Sequence, residues 1–460
     1  MTGAGSQLPS GGRGMPVFAL IVVLAVIAWV HMLAWAQHPP DVDPINFVVS
    51  LHEFDISRDA PHPPGYPLYV GLARLAQLLI GPDHAFQLVN LVMMLATSAL
   101  LAVIGSQLGS RQAGMLAAIL FALHPLVWAG TVIQECYVSD ALGGAALVAC
   151  GLAFGQWRYR ALALFFVIEL AIGLLRPTSC LLLLPAGLTA IWLSAADDRD
   201  RLRLLALATG AAGIALGMAY AATVTLTGGL EVYRSAIDRV MGAAFRSNSV
   251  LGGATLRTHI AMVNRLLFWF ALWSAPLILL AAVNRMVGSN RDWRPVTLLL
   301  LAWIAPALCF YTAIYYLKPT YQIVFVPALS LGCSWCLSTL ARPQRVLTGA
   351  ITALASVGQG FFWLGGDHLS EPLYRLTHAY FAKQDRAWEQ LAGAVKDAPV
   401  DCVIIHPSWS DLTPSALRLI THDGTYAVRD EQGQTMINAN GLWLTRPLSD
   451  HRCLRTLPTH

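Results

Sequence analysis

Long apolar runs, most of them free of charged residues, follow one another along most of the chain. A run of about 20 apolar residues spans the roughly 30 Å hydrocarbon core of a bilayer as one helix. The pattern therefore predicts an all-α polytopic membrane protein with about 11 transmembrane helices. The predicted spans are 16–36, 85–108, 112–132, 139–156, 160–175, 178–194, 204–226, 263–284, 295–316, 320–340 and 346–364.

One apolar segment, Tyr66–Ile80, is shorter than a span needs to be. If it crossed the membrane, the basic loop at Arg111 would lie outside and the later basic loops would be inverted with it. If it lies at the outer interface with Arg74 toward the headgroups, every basic loop lies inside. We therefore interpret it as an interfacial helix. The basic loops are Arg111, 158–160, 199–203, 285–294 and 342–345.

Charge indicates the orientation of the chain. Only 12% of the residues are charged, against about 25% in soluble domains, and the net charge is +4. The arginines stand in short loops, which is a topology signal and not a nucleic-acid footprint. Residues 1–15 are predicted to be a disordered, cytoplasmic N-terminus, and an odd number of spans places the tail, 365–460, outside. We expect a multi-pass protein of the plasma membrane, the bacterial inner membrane.

The tail is predicted to form a small extracytoplasmic α/β domain. Lys383–Val395 and Thr413–Ile420 have helical patterns, and Val400–His406 is a strand candidate. Cys402 and Cys453 are the two cysteines of the tail. In an oxidising compartment they could form a disulfide.

The first outer loop, 37–84, holds the most informative sequence. It begins QHPPDVDPINFVVSLHEFDISRDAPHPPGYPLY and carries five carboxylates directly after a span. Asp43–Phe54 can lie on the membrane as an amphipathic juxtamembrane helix. In His62–Tyr69 three prolines fix φ, and Gly65 allows a tight turn. Together these features hold the Asp41/Asp43 end over the bundle.

An Asp just after the first span, a juxtamembrane helix and then HPPGYPLY resemble the lipid-phosphate-sugar-dependent glycosyltransferases of GT-C fold. That group includes the protein O-mannosyltransferases and the aminoarabinose transferases of lipid A. The resemblance covers roughly residues 16–340, the transmembrane part of a GT-C-like domain at 16–364. It implies transfer of a sugar from a polyprenyl phosphate to an acceptor on the outer face.

The resemblance also implies roles for individual residues. Asp43 stands at the position of the general base, with Asp41 two residues before it. Pro44 follows Asp43 where the family often has a Glu, so the sequence leaves open whether Asp41 or Asp43 is the base. Cationic groups would hold the lipid phosphate, because a guanidinium grips phosphate oxygens in a bidentate fashion. Arg246, Arg257 and Arg265 are secondary candidates for that task. The predicted substrate-binding residues are His62, Tyr66, Glu135, Tyr137, Asp140, Arg176, Lys318 and Tyr321.

Several questions stay open at this stage. The Asp41-x-Asp43 pair could hold a divalent metal ion together with the donor phosphate, but there is no metal signature. The expected partners are the polyprenyl-phosphate-linked donor and membrane lipid, without nucleic acid, and the acceptor is a protein, a lipid or a glycan. A non-catalytic transporter or flippase, and a polysaccharide polymerase or ligase using the loop at 227–262, are the alternative functions.

Overall fold

The computed structural model describes residues 17–195, 197–286, 293–339 and 375–396, the single residues 358 and 373, and the short segments 426–429, 435–439 and 442–445. Several predictions lie outside these residues. They are the N-terminus 1–15, the eleventh span at 346–364, the tail elements Val400–His406 and Thr413–Ile420, and the pair Cys402 and Cys453.

The described chain is mostly helical. Its α-helices are α1 (Val17–Leu33), α2 (Val42–Ser50), α3 (Pro67–Ile80), α4 (Ala85–Gln107), α5 (Arg111–Ala122), α6 (Pro125–Val132), α7 (Val138–Leu175), α8 (Pro177–Ser194), α9 (Asp198–Leu226), α10 (Leu230–Ile237), α11 (Ala243–Asn248), α12 (Leu256–Met286), α13 (Arg294–Ala313), α14 (Val326–Thr339) and α15 (His378–Lys396). Shorter helical turns occupy Ile56–Arg58, Asp238–Gly242, Val250–Gly252 and Pro319–Phe325.

Seven helical segments of the described chain are long and apolar enough to cross a membrane, or eight if the bent pair α5–α6 is one span. The chain is therefore a multi-pass membrane protein. By this measure the described residues contain fewer membrane spans than the eleven predicted. One reason is that α1 has only 17 residues, and another is that the segment predicted at 160–175 is the second half of α7. The segment predicted at 112–132 is bent by 54°. Pro125 begins α6 there, and His124 Nδ1 accepts the Leu126 N–H at 3.2 Å.

α7 is a helical hairpin and not one long rod. Trp157 has non-helical dihedral angles (φ −131°, ψ 28°) and divides the helix into two halves. The Cys150 thiol donates to the Ala161 carbonyl at 3.3 Å, eleven residues further on. In a straight helix those residues would be about 16 Å apart. Both ends of α7, at Val138 and Leu175, therefore lie at the same end of the bundle, as the separate spans predicted at 139–156 and 160–175 require.

Burial separates the central helices from those that face outward. Within Pro319–Ser338 an apolar stretch of 18 residues is buried throughout, whereas only 17% of the corresponding stretch of Leu256–Val283 is buried. Small residues let the central helices approach closely, and a Cβ added to Gly105 of α4 would lie 2.2 Å from the Gly114 Cα of α5. The outward faces carry large apolar side chains that a bilayer would cover.

α3 agrees in length with the predicted interfacial helix. It has 14 residues, and its C-terminal turn exposes Leu78 and Leu79. The Arg74 guanidinium, which the sequence placed toward the headgroups, donates to the carbonyls of Ser50 (2.8 Å) and Leu51 (3.1 Å), where α2 ends and leaves carbonyl groups without helical partners.

In the tail, α15 spans the predicted helix Lys383–Val395. Three further strands, which the sequence pattern did not single out, form an antiparallel sheet in the order β1 (Tyr426–Arg429), β2 (Thr435–Ala439) and β3 (Leu442–Thr445). The domain limits at 365–460, and the grouping of these elements into one α/β domain, stay predictions.

Candidate functional site

In the loop 37–84, Asp41 and Asp43 stand at the start of α2. Asp41 is the N-cap of this helix, and its Oδ1 accepts the Val42 N–H at 2.7 Å. Ile45 and Phe47 on the same helix are buried, and the Phe47 ring lies edge-on to Tyr66. Burial of this apolar face fixes the rotation of α2 and therefore the direction of its two acidic residues.

The HPPGY segment supports the same region from the other side. Gly65 has φ +116°, as its predicted role in a tight turn requires, and Tyr66 has φ +52°. This backbone brings the Tyr66 hydroxyl within 3.1 Å of His62 Nε2. The other ring nitrogen of His62, Nδ1, lies 3.8 Å from Asp43 Oδ1.

The Lys318 ammonium lies among three carboxylates from two distant parts of the chain. Its Nζ is 2.6 Å from Asp41 Oδ2, 2.8 Å from Asp43 Oδ2 and 2.9 Å from Glu135 Oε1. The side chains of Lys318 and Glu135 are 18% and 3% exposed. One half-buried cation therefore holds together the first outer loop, the turn between α6 and α7, and the start of the α14 segment.

Glu135 is held by residues that the sequence did not point to. The Asn90 amide nitrogen donates to the carbonyls of Gly130, Ile133 and Glu135 at 3.0, 3.1 and 2.8 Å. The Thr320 hydroxyl donates to Glu135 Oε2 at 3.3 Å. A buried amide inside the apolar run of α4 was the available sequence signal for Asn90.

A second charged pair lies beside this cluster. Arg176 forms an ion pair with the buried Asp140, which also accepts from the Ser179 hydroxyl. The Arg176 guanidinium lies 4.9 Å from the ring centre of Tyr137 and 5.4 Å from that of Tyr321. Since Tyr137 and Tyr321 are two and three residues after Glu135 and Lys318, the two charged clusters share their supporting turns.

Electrostatics distinguish the carboxylates around Lys318. Burial alone would raise the pKa of Asp43, but the charge and the hydrogen bond of Lys318 hold it well below its usual value. For Glu135 burial prevails over the same ammonium and raises the pKa. Burial lowers the pKa of His62, and the surrounding carboxylates, which outweigh burial, raise the pKa of Lys318. The arrangement thus contains an ionised carboxylate, a protonated lysine and a neutral histidine within contact distance.

The arrangement does not fit the divalent ion considered from the sequence. One oxygen of Asp41 and one of Asp43 contact the Lys318 ammonium, which already supplies the compensating charge. Among the described residues no group of three or more His, Cys, Asp or Glu side chains is placed to hold a metal ion.

The structure brings together all ten residues that the sequence singled out as candidates. They are Asp41, Asp43, His62, Tyr66, Glu135, Tyr137, Asp140, Arg176, Lys318 and Tyr321. The secondary candidates Arg246, Arg257 and Arg265 lie on α11 and α12. No ion pair or hydrogen bond of the described residues joins them to this site.

No protein-family model matches the chain. A curated relative, protein O-mannosyl-transferase TMEM260 of Mus musculus, is 30% identical over 140 residues, which is 30% of this chain and 19% of the mouse protein. The matched segment thus spans about a fifth of that relative.

Among solved structures, ArnT from Cupriavidus metallidurans bound to undecaprenyl phosphate is 14% identical, with a TM-score of 0.57 over 87% of this chain and 84% of ArnT. ArnT in the apo state is 13% identical, with a TM-score of 0.54 over the same shares. At these identities the likeness concerns the fold, and it confirms the GT-C fold that the sequence predicted.

Proposed function

We propose that this chain is a membrane glycosyltransferase that moves a sugar from a polyprenyl-phosphate donor to an acceptor hydroxyl on the outer face of the bacterial inner membrane. The observation that carries the proposal is the Lys318 cluster, in which a cation and three carboxylates converge at one end of a GT-C bundle. Support also comes from the relatives: ArnT is solved with undecaprenyl phosphate, and the mouse protein is named an O-mannosyl-transferase.

In the proposed reaction the acceptor oxygen attacks the anomeric carbon of the donor sugar. The bond from this carbon to the phosphate oxygen breaks, and polyprenyl phosphate leaves with the electron pair. The proton of the acceptor hydroxyl passes to a carboxylate acting as general base. A phosphate is a good leaving group, so the site needs cations that hold it and no strong acid.

Asp43 is favoured over Asp41 as that base. Both oxygens of Asp41 are engaged, Oδ1 by the Val42 N–H and Oδ2 by Lys318. Asp43 uses Oδ2 for Lys318, while its Oδ1 has no hydrogen-bond donor among the described residues. An ionised oxygen without a donor is the one that can take a proton from an incoming hydroxyl.

Lys318 and Arg176 are the proposed phosphate-binding groups, and they would couple donor binding to the strength of the base. When a donor phosphate takes up hydrogen bonds from Lys318, Asp43 loses part of the cationic stabilisation that lowers its pKa. Its pKa then rises toward the working pH, which makes a carboxylate a better general base. The base would thus gain strength when the donor is in place.

The proposed orientation has the site and the tail outside and the N-terminus in the cytoplasm. Arg158 and Asp200 form an ion pair that joins the turn of the α7 hairpin to the start of α9. These two basic segments therefore lie together at the end of the bundle opposite the site, as the positive-inside rule requires of cytoplasmic loops.

The direct test uses the purified chain in lipid nanodiscs with polyprenyl phosphates carrying different labelled sugars and mixed hydroxyl acceptors. Asp43→Asn should lower the turnover of the accepted donor by about 10²- to 10⁴-fold, the usual contribution of a general base, and Asp41→Asn by less than about tenfold. Asp198→Asn is the matched control, since Asp198 is 84% exposed and begins α9, at the end of the bundle opposite the site; it should act as wild type.

Two outcomes would overturn the proposal. A wild-type protein that transfers none of the sugars would contradict glycosyl transfer, and donor movement across the membrane without transfer would favour a flippase. Full activity in the Asp43→Asn protein would remove Asp43 as the base.

A further inference from the structure

The tail helix α15 contacts the beginning of the first outer loop, immediately before the acidic residues. The two oxygens of Asp385 accept consecutive backbone N–H groups, from Gln37 at 3.2 Å and from His38 at 2.7 Å. A carboxylate that accepts two backbone N–H groups forms charge-assisted hydrogen bonds, which are stronger than neutral ones.

Trp388 holds the next residues of the same loop. Its indole N–H donates to the Pro39 carbonyl at 2.8 Å, and its ring stacks on His38 with 5.6 Å between ring centres. Trp388 is buried, and it lies on the same face of α15 as Asp385 because the two residues are three apart. One turn of the tail helix thus binds three consecutive residues of the loop.

α15 is itself fixed to the rest of the protein. Phe381 on this helix and Leu376 just before it are buried in the main apolar core. On the other side of the contact, the Ala36 N–H donates to the Val132 carbonyl at 3.0 Å, where the loop leaves α1. The segment 36–39 is therefore held from the bundle and from the tail, and Pro39-Pro40, with fixed φ angles, leads directly to Asp41.

From this geometry we infer that Asp385 and Trp388 are positioning residues, through which the tail sets the location of Asp41 and Asp43 relative to Lys318. The inference rests on the proposed function, because the loop that they position carries the proposed base. It gives the tail a role in the transfer step that does not require contact with the acceptor.

A backbone measurement tests the contact without any activity. Hydrogen exchange, followed by mass spectrometry on the full chain in nanodiscs, reports the amides of Gln37 and His38. Asp385→Ala should accelerate exchange of the peptide that contains them by about tenfold or more, the effect of losing hydrogen bonds to a charged group. Glu389→Gln is the matched control, since it removes the same charge from an exposed position on α15; its exchange should equal that of wild type.

A kinetic measurement tests the consequence. In Asp385→Ala and Trp388→Phe, kcat should fall at least about tenfold, because small displacements of a reacting group cost large factors in rate, while the KM for the donor stays within about twofold. Asp385→Glu, which keeps a carboxylate, should restore part of kcat.

The outcomes separate this inference from the proposed function. Unchanged exchange in Asp385→Ala would show that the contact does not hold the loop. Faster exchange with unchanged kcat would show that the contact does not position the base. A wild-type chain without transferase activity would end the proposed function and, with it, the positioning role, even where the exchange result establishes the contact.

Discussion

Replacing Lys318 by methionine should cost the protein about 3–5 kcal/mol of stability, the usual effect of removing one partner from a buried ion pair. Methionine keeps the length of the side chain and removes the charge. Three carboxylates lie within 2.9 Å of the Lys318 ammonium, and they would then repel one another without a counter-charge. The cost falls mainly on Glu135, whose side chain is 3% exposed, because Asp41 at 46% exposure can be stabilised by water.

The charge of Glu135 gives this prediction a pH dependence. Burial already raises the pKa of Glu135, and Lys318 opposes that shift. Without Lys318 the pKa rises further, so that the folded protein binds a proton that the unfolded chain releases at neutral pH. A group with a raised folded pKa destabilises the fold as pH increases through that pKa. The defect of Lys318→Met should therefore be larger at pH 8 than at pH 5.

The assay is thermal unfolding of the purified chain in detergent, at both pH values. A second variant, Lys318→Met with Glu135→Gln, should recover a substantial part of the lost stability, because the amide carries no charge to bury. Lys383→Met is the matched control, as Lys383 is exposed on α15, and it should leave the transition within about 0.5 kcal/mol of wild type. Equal stability of Lys318→Met and wild type, or no recovery in the double variant, would refute the reasoning.

Two further predictions concern the loop turn and the transfer step. Gly65→Ala should destabilise the protein by about 1–3 kcal/mol in the same unfolding assay, because φ is +116° there and the new Cβ would lie 3.1 Å from Thr223 Cγ2. The control Gly71→Ala, in open space on α3, should be neutral or stabilising. Equal effects of the two substitutions would contradict this account. In pH–rate profiles the acid limb of kcat should lie at higher pH than that of kcat/KM, because donor phosphate competes for Lys318 and raises the pKa of Asp43; coinciding limbs would contradict the coupling.

The sequence singled out the members of the charged cluster but not their pairing. Asp43, Glu135, Arg176 and Lys318 were candidates because the resemblance to GT-C glycosyltransferases implies charged residues at these positions beside predicted spans. The choice of partners could not be predicted. That Lys318 binds the carboxylates while Arg176 binds Asp140 depends on side-chain rotation and helix packing, which apolar periodicity does not determine.

Residues that act through the backbone were missed for a related reason. Asn90 and Asp385 hold the site by hydrogen bonds to main-chain groups. Because every residue has such groups, the sequence of the segment that is held does not indicate the contact. For Asn90 and Asp385, tertiary contacts and not local propensity determine the structure. The bend at His124–Pro125 divides the segment 112–132, which the apolar run alone made continuous.

The contacts of the site constrain how the chain threads the membrane. Two residues that meet at one end of a bundle must be separated by an even number of crossings. Between Asp43 and Glu135, α4 is one crossing and the bent pair α5–α6 is another, so α3 between them does not cross; this supports the interfacial interpretation of Tyr66–Ile80. Between Glu135 and Arg176 the α7 hairpin supplies two crossings, and α8, α9, α12 and α13 supply four before Lys318.

The same parity bears on the tail. After Lys318 the segment Pro319–Ser338 crosses once, yet Asp385 binds Gln37 and His38 beside the site. The prediction of one more span between Ser338 and Asp385 agrees with this contact, because it makes the number of crossings after Lys318 even. The predicted eleventh span at 346–364, which lies outside the described residues, is the apolar run that could supply it. The contact thus puts α15 at the same end of the bundle as Gln37, since a tail helix at the other end could not reach it.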